Sequence, residues 1–169
     1  MLLGLIAAAT ADLGPAKLIY CHMMECSWSR LVSNELVSAR RNEQLRKYVT
    51  LDGSSTHRDG NYPVRFSKRV HIEWERKPVA TYVLCSRKRP SIAFQDRWDT
   101  QHKGRWYAHY LDLFNLAGYN TSSAVIYMDA CHRIDLNVDD PARLKKLGYR
   151  PGTRNEQVDL TGPTDLLKP

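Results

Sequence analysis

The chain has 169 residues, of which 43% are apolar and 25% are charged. This length suits one domain with a substantial hydrophobic core, and the composition excludes an intrinsically disordered protein. The formal net charge of +7 at pH 7 favours an anionic partner.

An apolar segment at the N-terminus predicts export. Residues 2–11 are uncharged and end in Ala9-Thr10-Ala11, the small-x-small pattern that signal peptidases cleave. We interpret residues 1–11 as a signal peptide and residues 12–169 as a single periplasmic or secreted domain. Because no Lys or Arg precedes Ala11, the alternative is an apolar strand or helix of a cytoplasmic protein. A span needs about 20 apolar residues, and no segment reaches that length, so we expect no transmembrane span.

The first half of the domain contains one clear strand and one ambiguous region. Residues 17–24 form an apolar run short enough for a buried strand. Residues 28–37 alternate loosely, as a strand does, whereas residues 33–48 contain enough Glu, Arg, Leu and Gln for a helix, and both interpretations stay open. Residues 52–63 combine two turn signals with almost no apolar side chain, which predicts a surface loop.

The clearest strand pattern follows this loop. Apolar and polar side chains alternate in residues 70–75, and residues 79–85 are rich in β-branched and aromatic side chains. The turn-prone segment between them predicts a β-hairpin. With residues 91–94 and 106–113 it gives a predicted antiparallel meander of about four strands within residues 64–113.

The last third of the chain adds helical signals. Residues 122–132 fit either a serine-capped helix or a buried strand. Asp140 followed by Pro141 is typical of a helix start, so we predict a helix at residues 141–147. From about residue 151 the chain is polar and punctuated by Gly and Pro, which predicts a loose C-terminal tail.

Four cysteines follow the predicted cleavage site, and an even number is expected where thiols are oxidised. Three pairings are possible, and we favour Cys21 with Cys26 and Cys85 with Cys131. The predicted fold class is therefore α+β: a small antiparallel sheet, ordered as a meander, with a C-terminal helix and stabilising disulfides.

Metal binding is the alternative use of the cysteines. A zinc site would draw on Cys21, His22, Cys26, Cys131 and His132, but this spacing matches no common zinc motif. His22, Met23 and Met24 are ligand types that copper(I) prefers. Disulfides and buried methionines account for these residues more simply, so we predict no metal and no cofactor.

Three constellations contain catalytic residue types. They are Ser54, Ser55, His57 and Asp59 for a hydrolytic triad, Glu73 and Glu75 for a glycosidase, and Cys131 with His132 for a thiol nucleophile and its base. Residues this close in sequence seldom hold a catalytic geometry, and an oxidised cysteine is no nucleophile. The sequence therefore favours a non-catalytic protein, with an envelope hydrolase as the second alternative.

Clustered cations are the strongest functional signal. The clusters are Arg40-Arg41, Arg46-Lys47, Lys68-Arg69, Arg76-Lys77, Arg87-Lys88-Arg89 and Lys145-Lys146. We expect Arg87, Lys88 and Arg89 to lie exposed in a turn between two strands and to bind anions. The anionic partners outside the cytoplasm are glycans, lipid headgroups and wall polymers. For a cytoplasmic protein the partner would be nucleic acid, which is the first alternative.

Export predicts that the protein isolated from outside the cytoplasm of its host begins at or near Asp12. Expression of the full gene in that host, followed by N-terminal sequencing, measures this directly. A cytoplasmic product that retains Met1 contradicts the prediction and shifts the expected partner to nucleic acid.

Overall fold

The computed structural model describes residues 13–97, 103–116, 118–134 and 140–168. The predicted signal peptide at residues 1–11 lies outside the described residues. The described residues form one antiparallel sheet and two α-helices, which confirms the predicted α+β fold with a C-terminal helix.

The sheet is larger than predicted and has eight strands. In chain order they are β1 (Lys17–His22), β2 (Glu25–Arg40), β3 (Glu43–Thr56), β4 (Glu73–Trp74), β5 (Val79–Cys85), β6 (Ser91–Gln95), β7 (Trp106–Tyr110) and β8 (Glu156–Leu160). Their spatial order is β1-β2-β3-β5-β6-β7-β8, and β4 also pairs with β3. The helices are α1 (Thr121–His132) and α2 (Pro141–Lys146), with short 3-10 helices at Gly118–Asn120 and Pro163–Leu167. No helix in the described ranges is long and apolar enough to cross a membrane.

Both faces of the central sheet are covered. Val83 of β5 belongs to a buried cluster with Tyr127 and Met128 of α1. Leu84, the next residue, belongs to a second cluster with Leu166 of the C-terminal 3-10 helix. Because successive side chains of a strand point to opposite faces, burial on both sides explains the nearly continuous apolar run of β5.

The ambiguous region forms the longest pair of strands, so the helical interpretation of residues 33–48 is wrong. β2 and β3 pair from Glu25 with Thr56 to Arg40 with Glu43, and Arg41 and Asn42 make the turn. Residues 33–48 have helix-forming side chains, but pairing along the whole hairpin and the burial of Leu45 outweigh that local preference.

The predicted hairpin of residues 70–75 with residues 79–85 is wrong. β4 has two residues and pairs with β3 at Gly53 and Ser54, while β5 pairs with an earlier stretch of β3. The predicted loop at residues 52–63 is wrong over its first part, since β3 continues to Thr56. A side chain at position 53 would place its Cβ 2.8 Å from the Trp74 ring, so this close approach requires glycine.

The C-terminal elements resolve three further expectations. Residues 122–132 fall within α1, which settles the open choice as a helix, and the predicted helix at residues 141–147 is confirmed as α2. The Asp140 carboxylate accepts a hydrogen bond from the Arg143 backbone N–H at 2.9 Å, as expected of an N-cap. The tail beyond residue 151 is not loose, because β8 pairs with β7 and Leu166 is fully buried.

The favoured disulfide pairing is confirmed. Cys21 and Cys26 face each other across the β1–β2 hairpin, and Cys85 at the end of β5 is bonded to Cys131 near the end of α1. The four thiols are therefore unavailable as metal ligands or nucleophiles.

The two bridges are expected to differ in their effect on stability. Cys85–Cys131 joins residues 46 apart and Cys21–Cys26 joins residues 5 apart. Because a longer closed loop removes more entropy from the unfolded chain, Cys85→Ala/Cys131→Ala should lower the free energy of unfolding by about 4 kcal/mol and Cys21→Ala/Cys26→Ala by about 2 kcal/mol. Urea denaturation measures both. A larger loss from the second pair contradicts the prediction.

Candidate anion-binding groove

A groove of about 960 Å³ lies at the end of the sheet where two turns meet. One turn joins β2 to β3 and the other joins β5 to β6, and they are neighbours because Gln44 pairs with Cys85. The end of α1, Tyr149 and Leu167 complete the walls. The lining residues are Arg40, Arg41, Asn42, Glu43, Gln44, Cys85, Ser86, Arg87, Lys88, Arg89, Cys131, His132, Tyr149 and Leu167.

Positive charge dominates this groove. The β2–β3 turn contributes Arg40 and Arg41, and the β5–β6 turn contributes the three cations that the sequence singled out: Arg87, Lys88 and Arg89. Among the described residues that line it, Glu43 is the single carboxylate. Two cation clusters that are separate in the sequence therefore converge on one site.

The three predicted anion-binding residues differ in their surroundings. Arg87 and Lys88 are exposed as predicted, but Arg89 is half-buried and forms a bidentate ion pair with Glu43, Nε to Oε1 at 2.9 Å and Nη2 to Oε2 at 2.8 Å. The Ser86 hydroxyl also donates to Glu43 Oε1 at 2.8 Å. Arg89 thus holds the turn in place, which corrects the expectation that the whole turn is exposed.

Arg87 is positioned by a glycine. Gly148 follows α2 with a φ of +91°, and a Cβ built there would lie 3.1 Å from Cδ and Nε of Arg87. The stem of Arg87 therefore packs over a residue that has no side chain, while its charged end remains at the groove. Gly148 therefore has two roles: it adopts the left-handed backbone after α2, and it leaves room for the Arg87 side chain.

A chain of buried hydroxyls leads from the protein interior to the groove. The Tyr127 hydroxyl accepts from the Ser86 backbone N–H at 3.1 Å and lies 3.0 Å from the Ser86 carbonyl oxygen. It lies 2.9 Å from the Tyr149 hydroxyl, which in turn lies 2.6 Å from His132 Nε2. Burial raises the pKa of both tyrosines, so both phenols remain protonated at neutral pH.

His132 ends this chain and is neutral at pH 7. Burial, and then the positive charge of Arg87, lower the pKa of its imidazole below the ordinary value of 6.5. Arg87 thus acts on an imidazole that its own positive charge helps to keep uncharged. The sequence had paired His132 with Cys131 as a nucleophile and base, but Cys131 is oxidised and His132 bonds to Tyr149.

The other catalytic candidates lie away from the groove. Ser55 Oγ and His57 Nε2 are 2.8 Å apart, so the structure does bring this pair together. Ser55 is buried and also accepts from the Trp28 indole N–H at 2.7 Å. Asp59 accepts hydrogen bonds from Asn61, and within the described ranges no hydrogen bond joins it to His57, so these residues do not form a triad.

Glu73, in the outer strand β4, and Glu75, directly after it, are exposed and do not line the groove. Within the described ranges, no three His, Cys, Asp or Glu side chains are grouped as metal ligands would be. Glu43, Tyr127 and Tyr149 escaped the sequence analysis, because each acquires its role through contacts with distant segments. Cation clustering at residues 40–41 and 87–89 and the adjacent pair Cys131 and His132 are the sequence signals that fall at this groove.

Comparison with known proteins finds no matching family model, no matching curated protein and no matching solved structure. Similarity therefore assigns neither a family nor an activity. The groove is the feature on which a function can be argued.

The ion pair of Glu43 with Arg89 is expected to give stability a specific pH dependence. Bonding to Arg89 holds the pKa of Glu43 below its ordinary value of 4.5. A carboxyl with a lowered folded-state pKa stabilises the fold above its unfolded pKa, and this contribution is lost as the pH falls through the folded value. Glu43→Gln should cost about 1–3 kcal/mol at pH 7 and progressively less as the pH falls below 4.5.

Urea denaturation of wild type and variant at pH 7 and near pH 3 measures this. The control is Glu35→Gln, an exposed glutamate on the same hairpin, which should change stability by less than about 0.5 kcal/mol at either pH. A Glu43→Gln cost that does not shrink in acid contradicts the role assigned to the ion pair.

Proposed function

We propose that this protein is an exported, non-catalytic binding domain whose groove holds an anionic polymer. The observation that supports this most directly is the convergence of Arg40, Arg41, Arg87 and Lys88 from two separate turns on one groove. All four residues are exposed. Like charges brought together repel one another, so their placement around one concavity favours a site for negative charge.

The composition of the cluster favours a particular ligand chemistry. Arginine presents a planar fork that bonds carboxylate, sulfate or phosphate groups in pairs, and three of these four exposed cations are arginines. The groove opens to solvent and has cations on two of its walls, which suits an extended chain with repeated charges. An acidic glycan or an anionic wall polymer has that form.

Binding is favoured over catalysis by what holds the two proton-transfer groups of the groove. The Glu43 carboxylate is paired with Arg89 and Ser86, and His132 Nε2 is bonded to the Tyr149 hydroxyl. A general acid or base has to reach the reacting atom with an available lone pair or proton. Both groups are instead parts of the scaffold that supports the turn and the groove wall.

Export is supported by the two disulfides, since such bonds persist in oxidising compartments.

Nucleic-acid binding in the cytoplasm is the second candidate function. The same arginines would suit a phosphate backbone, and the groove's charge is the observation that favours it.

The test removes two exposed cations and leaves the scaffold intact. Arg87→Ser/Lys88→Ser retains Arg89 and therefore its ion pair with Glu43. Affinity for heparin, used as the probe, should fall on the order of tenfold at low salt. The slope of log affinity against log salt should flatten by about one to two, because fewer counterions are released on binding. Isothermal titration at two salt concentrations measures both.

The matched control is Arg76→Ser/Lys77→Ser, which makes the same charge change before β5, whereas Arg87 and Lys88 follow its far end. It should leave affinity nearly unchanged. No binding at low salt, or equal weakening by both double variants, overturns the proposal. Polygalacturonate and a DNA duplex complete the panel, and a clear preference for DNA supports the second candidate.

A further inference from the structure

The opposite end of the long hairpin carries an unusual turn. Met23 and Met24 form the two-residue connection between β1 and β2, where His22 pairs with Glu25. Both methionines have positive φ, 47° and 67°. Turns of this kind favour Asn-Gly, because left-handed backbone is unfavourable for residues with larger side chains. Two methionines at these positions suggest that their side chains serve a purpose.

These side chains project into solvent, so the expectation of buried methionines is wrong at Met23 and Met24. Met23 is 76% exposed and Met24 51%, and Val64 from the neighbouring loop is 92% exposed. Tyr62 bonds the Met24 backbone, and the exposed aromatic residues Tyr20, Tyr62 and Phe66 line one surface depression together with Val64. We refer to the six residues together as the apolar tip: Tyr20, Met23, Met24, Tyr62, Val64 and Phe66. Apolar clusters of this kind on a surface mark sites of interaction.

Several contacts hold the apolar tip in shape. The Met24 backbone N–H donates to the Tyr62 hydroxyl at 2.9 Å, and the His57 backbone N–H donates to the Met24 carbonyl at 2.6 Å. The Phe66 ring packs edge-on against the buried Trp28 at 6.2 Å between centroids. The Cys21–Cys26 disulfide closes the hairpin directly behind the turn. The tip is thus arranged before any partner arrives, which lowers the entropic cost of binding.

The loop that carries part of the apolar tip is basic. Arg58, Arg65, Lys68 and Arg69 are all exposed between β3 and β4. Asp59 is the one acidic residue between Thr56 and Glu73. Exposed apolar side chains flanked by cations are the combination that binds the interface of an anionic membrane. The apolar groups enter the boundary of the acyl chains, and the cations contact lipid phosphates.

We propose that the apolar tip docks on the surface of an anionic phospholipid bilayer, with Met23, Met24 and Val64 inserted and the loop cations on the headgroups. This surface is separate from the groove. The two lie at opposite ends of β2, whose 16 residues span roughly 50 Å at about 3.3 Å per residue. Membrane docking is therefore a second property, and it does not depend on the ligand of the groove.

The test is sedimentation of the full chain with vesicles. Wild type should bind vesicles of equal phosphatidylcholine and phosphatidylglycerol, and bind phosphatidylcholine alone much more weakly. Met23→Ser/Val64→Ser should lower the affinity for the anionic vesicles, derived from the bound fraction, on the order of tenfold. The matched control is Leu36→Ser/Val37→Ser, which removes side chains that are 53% and 46% exposed near the other end of β2. It should bind as wild type does.

A second measurement reports insertion itself. In Val64→Trp, the fluorescence emission of the introduced tryptophan should shift to shorter wavelength when the anionic vesicles are added. In Val37→Trp, the emission of the introduced tryptophan should not shift. No binding to anionic vesicles, or binding that survives Met23→Ser/Val64→Ser, overturns the proposal. Binding abolished by Arg87→Ser/Lys88→Ser also overturns it, because the groove would then be the lipid site; in that case the proposed groove function survives with lipid as its anion.

Discussion

The antiparallel pairing of β2 with β3 is the constraint on which the rest of the structure depends. β1 pairs with the edge of β2 that faces away from β3. β4 and β5 both pair with the edge of β3 that faces away from β2. The register also places one short turn, Arg41-Asn42, beside the β5–β6 turn and leaves the Met23-Met24 turn at the far end. A shift of the register by one residue would turn Leu45 and Tyr48 to the opposite faces of the sheet, away from the clusters in which they are buried. It would also separate the two turns that form the groove.

Within the groove, the same few contacts set both shape and charge. Ser86 is central: its hydroxyl bonds Glu43, and its backbone bonds the buried Tyr127. Arg89 neutralises Glu43, the one carboxylate among the described residues that line the groove, so the charge of Arg87 and Lys88 is not compensated by it. Arg89, one of the three cations that the sequence predicts to be exposed, is thus a scaffold residue, and Arg87 and Lys88 are the candidates for ligand contact. Sequence adjacency does not separate these roles, whereas burial does.

The parts of this fold that the sequence predicts are those encoded locally. β5 follows from its β-branched run, and α2 follows from Asp140, Pro141 and Gly148, because caps act within one turn of the helix. The long hairpin was ambiguous because residues 33–48 prefer a helix locally, and the partner that overrides this preference lies elsewhere. The expected alternation around β4 is present, since Ile72 and Trp74 are half-buried. The predicted partner of β4, residues 79–85, is wrong, because β4 pairs with β3.

The candidate groove shows the same division. Arg87 and Lys88 were recognisable as a cationic turn, but nothing in the sequence places Arg40 and Arg41 next to them. That placement requires the pairing of β3 with β5, which is a non-local contact. The chain from Ser86 to His132 likewise joins β5, α1 and the segment after α2. Contacts between residues this far apart in the chain depend on the whole fold, so no local sequence pattern predicts them.

Each end of the hairpin combines a locally unfavourable feature with a disulfide. At one end, two methionines adopt left-handed backbone and expose apolar surface to water, each two positions from a cysteine of the Cys21–Cys26 disulfide. At the other, exposed cations share one groove with a half-buried histidine next to Cys85–Cys131. Local features that oppose stability persist only where the surrounding structure compensates for them, and they concentrate at functional sites. The covalent bonds lie where that compensation is needed, so the same chemistry that stabilises the fold also maintains its two candidate binding surfaces.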